Sequence, residues 1–402
     1  MSQPFWWERE DLQFHDGRLK FAGHSVDQLA KSFGSPTFVY SAKRVSAKML
    51  MLHEALRSVG FDNRFKIYYA MKANRFAPLL TYLKQTGLCG VDCCSPAEVE
   101  HAISCGFSPK DVSFTATNLS NDDLKTLLRY KDIFINCDSL STIRRIGEQS
   151  PGRDIGIRIN PAEGVGYGQN EKLQYCGAKT TKFGIYKEQF SDALALAKQH
   201  NLTIKKIHFH TGCGYSNAQL SQWDSIIESC HWFINQIDSL ESVNVGGGLG
   251  VRHQPNDEHL DLNAWANILA KYFVDRSICV EVEPGDFVVK DSGLLLLDIN
   301  TVETKRDKTF VGVNAGFNIA IEPAMYGLHF EPAPAVLRAG AFEKVSIAGN
   351  INEALDIFCH DVDLPPLEED DTLVLINSGG YSSSMSSNHC MRGSFKEVIL
   401  LD

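Results

Sequence analysis

Four features of this 402-residue chain join chemically active residue types to neighbours that would hold them still. Lys72 stands in Tyr68-Tyr-Ala-Met-Lys-Ala-Asn74. A surface lysine is the plain reading, but an apolar approach strips hydration from the ammonium, lowers its pKa and frees the amine for Schiff-base chemistry. Val245-Gly-Gly-Gly-Leu-Gly250 offers consecutive backbone N–H groups without side chains, suited to phosphate oxygens as well as to a simple tight turn. It fails the G-x-G-x-x-G register, because position 251 is valine. His208-Phe-His210 puts two imidazoles on one face of a strand. Without further ligands at conventional spacing, a zinc site is disfavoured, and a flat His210 ring over an aromatic cofactor is the sharper reading. Glu283, in Glu283-Pro-Gly285, either caps a neighbour or keeps the nitrogen of a pyridine-type ring protonated. Lysine, glycine cradle, imidazole and carboxylate together describe a pyridoxal phosphate (PLP) site better than a metal or nicotinamide site.

These residues need a scaffold that brings strand ends together. Short apolar segments recur at Lys66–Ala70, Gly90–Cys94, Val112–Thr117, Asp132–Cys137, Ile155–Asn160, Ile204–His210, Ser242–Val245 and Ile278–Glu283. Helical patterns separate most of them, including Pro96–Cys105, Asn121–Tyr130, Lys187–His200, Gln219–Ile237 and Leu262–Phe273. Eight such units predict a (β/α)8 barrel, with a doubly wound open sheet as the alternative. Barrel chemistry sits at the C-terminal strand ends, here Lys72, Asp92, Thr115, Asn136, Arg158, His210, Gly246–Gly248 and Glu283. The long segment from Asn160 to Phe183 lacks periodicity, which points to a functional loop. After Glu283 the pattern turns to short strands. Near the start, Asp16-Gly17 between apolar pairs signals a hairpin. The expected division is a barrel over 34–288 and a β-sandwich-like domain built from 1–33 and 289–402.

Composition narrows the classes. With 39 Lys+Arg against 49 Asp+Glu, the net charge of −10 and the lack of a basic cluster disfavour nucleic-acid binding. No apolar run reaches the roughly 18 residues of a membrane span. Eleven irregularly spaced cysteines without C-x-x-C argue against a disulfide framework. Together with an N-terminus lacking a basic and apolar leader pattern, they predict a cytoplasmic protein.

At these residues the chain resembles the fold-type III PLP-dependent decarboxylases, the diaminopimelate and ornithine decarboxylase family. Tyr69-Ala-Met-Lys-Ala-Asn74, Val91-Asp-Cys-Cys-Ser-Pro-Ala-Glu98, His208-Phe-His-Thr-Gly212 and Gly379-Gly-Tyr-Ser-Ser-Ser-Met-Ser-Ser-Asn388 are similar to its ordered motifs. The resemblance implies PLP on Lys72, Asp92 near that lysine, Arg158 near the cofactor, and His210 stacked on its ring. It also implies phosphate on Gly246, Gly247 and Gly248 with Tyr381, and Glu283 at the ring nitrogen. The fold would be a barrel plus a β-sandwich-like domain, in head-to-tail homodimers with shared active sites.

Three departures shape the expected substrate. Asp286 stands where family members usually carry arginine after Glu-Pro-Gly. Diaminopimelate enzymes carry Arg-Pro-Ala-Leu-Tyr, whose arginine binds a substrate carboxylate. Here Ile321-Glu-Pro-Ala-Met-Tyr326 puts Glu322 in that place, which predicts a basic or otherwise non-diaminopimelate substrate contacted by Glu322, Tyr326, Glu353 and Tyr381. In Gly349-Asn-Ile-Asn-Glu-Ala-Leu-Asp356, Asn352 replaces the cysteine that the partner subunit normally supplies. The expected activity is PLP-dependent decarboxylation of an amino acid, with Lys72, His210, Glu283 and Asn352 at the chemistry. A PLP racemase on the same scaffold and a non-catalytic PLP-binding homologue are the alternatives.

Overall fold

The computed structural model describes residues 5–168, 170–177, 179–328 and 330–401. It divides into two compact units, one of Met1–Ala47, Val251–Asp257 and Val288–Asp402, the other of Lys48–Gly250 and Glu258–Phe287.

The second unit is a closed parallel barrel. Its strands, in order, are β1 (Phe65–Ala70), β2 (Gly90–Cys93), β3 (Val112–Thr115), β4 (Phe134–Cys137), β5 (Asp154–Arg158), β6 (Thr203–His208), β7 (Ser242–Asn244) and β8 (Cys279–Val282). Each pairs with its sequence neighbour, and β8 closes onto β1 through Val280–Phe65 and Val282–Ile67. The closed barrel, rather than the open sheet, is the architecture. Two strands end where the run read from sequence ends, at Ala70 and Cys137, and the other six stop one or two residues short of it, where the chain leaves the ladder and turns into the loops. Helix starts are fixed locally. Ser95 accepts the Glu98 N–H, while Glu98 Oε2 accepts the Cys94 N–H at 2.6 Å, so the turn after β2 is held from both sides. Ser120 with Asp123, Ser139 and Asp261 cap three further helices in the same way.

The first unit is β-rich. Its main sheet runs Pro332–Pro334, Thr372–Ile376, Gly293–Lys305, Lys308–Val313, Glu343–Ala348, Ile357–Leu364. The expected N-terminal hairpin joins Leu12–His15 to Arg18–Phe21, with positive φ at Asp16 and Gly17. Leu12, Leu19 and Phe21 pack in one core with Leu294, Leu296, Val374 and Ile376. N-terminal and C-terminal segments thus share a domain. Thr37–Ser41 is also part of it, paired antiparallel with Gly293–Leu296 and parallel with Lys396–Leu400. Residues 34–47 and 251–257, inside the barrel expected from sequence pattern, belong to the β-rich unit; an apolar strand followed by a helix, as at 37–58, looks the same in either unit.

Candidate active site

The barrel holds a cavity of about 190 Å³ lined by Lys72, Asp92, Arg158, His208, His210 and Glu283, with Cys94, Thr115, Thr117, Tyr175 and Phe183 around them. Lys72 follows β1 in a short 3-10 turn, Met71–Ala73. The Cys94 sulfur and the Asp92 carboxyl hold its ammonium above the ordinary lysine range, against the burial that would lower it. Asp92 is buried, and burial together with the Glu283 charge raises its pKa well above the usual carboxyl range.

Glu283 is fixed at both oxygens. His208 Nε2 donates to Oε2 at 2.9 Å, and Asn244 Nδ2 donates to Oε1 at 2.8 Å. Burial would raise this carboxyl, but the His208 contact, with His210 and Lys72, outweighs it and holds the group down at about 2. The pKa of His208 is lowered by burial against the pull of Glu283. His210 is lowered well below its ordinary value by burial and by the Lys72 and Arg158 cations. Its ring centroid lies 5.0 Å from that of Tyr175, which meets Phe183 edge-on at 5.3 Å, and the Arg158 guanidinium sits 4.7 Å from the Phe183 ring. The long loop after β5 is therefore part of the cavity wall. Asn160 closes its neck, donating to the Phe183 carbonyl at 2.6 Å and to Thr181 Oγ1 at 3.1 Å.

The glycine run is a backbone cradle. Gly246 and Gly248 have φ of +72° and +93°, where side chains are strained. A Cβ on Gly246 would meet the Phe209 carbonyl oxygen at 2.6 Å, and one on Gly248 the Tyr215 ring at 2.9 Å.

Residues 42–290 match the family described as pyridoxal-dependent decarboxylase, pyridoxal binding domain. This chain belongs to the pyridoxal-dependent decarboxylases. The diaminopimelate decarboxylase of Methanothermobacter thermautotrophicus is 31% identical, over 97% of this chain and 92% of the relative. Diaminopimelate decarboxylase from Helicobacter pylori, solved in complex with L-lysine, is 25% identical with a TM-score of 0.84, covering 93% of each chain. The Paramecium bursaria Chlorella virus arginine decarboxylase shares the fold at 20% identity and a TM-score of 0.81, over 93% of this chain and 99% of its own. The decarboxylase is thus a PLP-dependent amino-acid carboxy-lyase.

Its residues fit that cofactor. Buried Asp92 Oδ1 and His210 Nδ1 have no hydrogen-bond partner among the described residues, and a Cβ on Gly246, Gly247 or Gly248 would collide with its surroundings. Bound PLP supplies a sink for the electron pair released with CO2.

The remaining predicted residues of this decarboxylase lie in the β-rich unit. Glu322, expected to face a cationic substrate group, does otherwise. It is buried, and both its carboxylate oxygens lie 2.5 Å from Lys290 Nζ, which is also fully buried. Its charge is met inside the protein, which corrects its assignment as a substrate ligand. Tyr326 ends the short helix Glu322–Tyr326. Tyr381 adopts φ of +51°, a strained conformation for a tyrosine and a mark of a constrained loop. Asn352 and Glu353 sit on an exposed loop, tied at its base by Asp356, which accepts the Phe317 and Ile351 N–H groups at 2.6 Å each.

Sequence reasoning missed Asn244, the roles of Tyr175 and Phe183, and the partner of His208. The aperiodic loop pointed towards the two aromatics. Nothing in sequence pointed to Asn244.

Proposed function

We propose that this decarboxylase acts on an α-amino acid other than diaminopimelate, with basic amino acids of either configuration as the first candidates. The observation that carries it is the Lys290–Glu322 pair. Where the resemblance places an arginine for a second substrate carboxylate, this chain has a buried, charge-balanced pair with no guanidinium to offer. In this reading Lys72 holds PLP, Asp92 stands by it, His210 lies over the ring and Glu283 meets the ring nitrogen. Gly246–Gly248, with Arg158 and Tyr381, take the phosphate, so Asp286 must point its charge elsewhere. Tyr326 and Glu353 then belong to substrate recognition, and Asn352 to the chemistry.

The reading includes a homodimer with shared active sites. The exposed loop carrying Asn352, Glu353 and the 51%-exposed Leu355 supports it as the segment one copy lends to the other.

A panel of D- and L-amino acids with meso-diaminopimelate, scored by release of labelled CO2, tests the proposal. Turnover of lysine, ornithine or arginine above diaminopimelate is expected. Robust turnover of meso-diaminopimelate alone would overturn it.

A further inference from the structure

Asn244 is completely buried and touches both ends of the candidate cofactor site. Its Oδ1 accepts the Gly246 N–H at 2.9 Å, the first amide of the glycine cradle. Its Nδ2 donates to Glu283 Oε1 at 2.8 Å and lies 3.5 Å from Glu281 Oε2. The amide orientation is dictated by this setting, because only the NH2 group can face two carboxylates. Glu281, one turn of the pleat below Glu283 on β8, is neutralised by Lys206 Nζ at 2.5 Å, an ammonium that also lies 4.2 Å from the Phe134 ring. Asn244 therefore gives Glu283, whose other oxygen is held by His208, a neutral donor.

We propose that Asn244 is a positioning residue that couples the phosphate cradle to the ring-nitrogen carboxylate, holding Glu283 ionised and aimed while it sets the Gly246 turn. The inference rests on the reading of Glu283 as the ring-nitrogen partner. A charge-preserving amide is required here. Aspartate would keep the acceptor for Gly246 but place an oxygen against Glu283 Oε1, and two carboxylates at that separation must share a proton. Lys206 and His208 on β6 and Glu281 on β8 face the position directly. Lys72, His210 and Asp92 act on the same carboxylate from the cavity side.

The test uses the PLP-loaded full chain and its apo form, as parent, Asn244→Asp and Asn244→Leu. Loss of one charge-assisted hydrogen bond corresponds to roughly tenfold weaker PLP binding or more. At neutral pH, Asn244→Asp should bind PLP at least that much more weakly and show a shifted pH titration of the cofactor absorbance. As the pH falls, a shared proton restores a donor to Glu283, so Asn244→Asp should regain affinity while Asn244→Leu does not. Equal impairment of the two variants at every pH, or a parent-like titration in Asn244→Asp, would overturn the proposal. If Asn244→Asp does not fold, N244D/E283Q puts the amide on the other side of the same contact and should restore folded protein; failure to do so also overturns it. A parent without a borohydride-reducible chromophore would instead sink the underlying cofactor reading.

Discussion

His208 Nε2 donates to Glu283 Oε2 at 2.9 Å inside the barrel, with both side chains at most 4% exposed. With Glu283 ionised, the proton of this contact sits on His208 Nε2. Glu283 has a folded-state pKa of about 2, below its ordinary value, so it adds stability above pH ~4.5 that is lost as the pH falls towards 2. His208→Leu removes the donor and moves that loss to higher pH. Urea unfolding of the apo protein should show about 1–3 kcal/mol of destabilisation at pH 7.

His208 and His210 are both depressed by burial, so the unfolded chain takes up protons below pH ~6.5 that the folded barrel refuses. Stability should fall with pH there, by about 1.4 kcal/mol per pH unit for each histidine once it is protonated only in the unfolded state. His210→Gln should flatten the slope measured by urea unfolding between pH 7 and 5. It should leave no histidine limb near 6.5 to be removed from the pH profile of turnover, since His210 is already neutral there.

Glu322→Gln leaves the Lys290 ammonium buried without that carboxylate, and removal of one partner of a buried pair costs about 3–5 kcal/mol. The double variant Lys290→Met with Glu322→Leu should recover most of this. A double-mutant cycle of denaturant midpoints checks it, and additivity of the two single changes would show that the pair is not coupled.

Asn352 has no proton to give at neutral pH, unlike the cysteine it replaces by resemblance. In the proposed reading, protonation at the substrate Cα falls to Lys72, His210 or water, and more substrate should end as a carbonyl by-product of abortive transamination. Asn352→Cys is expected to raise the ratio of amine to carbonyl product, measured by chromatography of the reaction mixture. An unchanged ratio would count against a role for this position.

Asp356 ties the base of the loop that carries Asn352. Asp356→Ala frees the Phe317 and Ile351 amides and should cost about 1–3 kcal/mol. Limited proteolysis should then cut between 350 and 356 faster than in the parent.

The barrel was legible because its grammar is local. Eight apolar runs separated by amphipathic stretches place Lys72, Asp92, Arg158, His210 and Glu283 at strand ends, and closure then gathers them around one cavity. Asn244 was not legible, because Val243-Asn-Val245 reads as an ordinary interior strand. Its meaning comes from register, with Asn244 opposite Glu281 and Glu283 just beyond. The Lys290–Glu322 pair was hidden for a related reason. Lys290 opens the short 3-10 turn Lys290–Ser292 and Glu322 opens the helix Glu322–Tyr326, and no periodicity links them. Reading Glu322 by alignment with an arginine gave its charge but not its partner.

That partner constrains descent as well as stability. A guanidinium at position 322 beside Lys290 would bury two cations together, so the site cannot pass between glutamate and arginine by one substitution alone. Position 290 must change first or simultaneously, and each single intermediate carries an uncompensated buried charge. A preference tied to such a pair is hard to reverse, and relatives on the two sides of the change should differ at both positions or at neither.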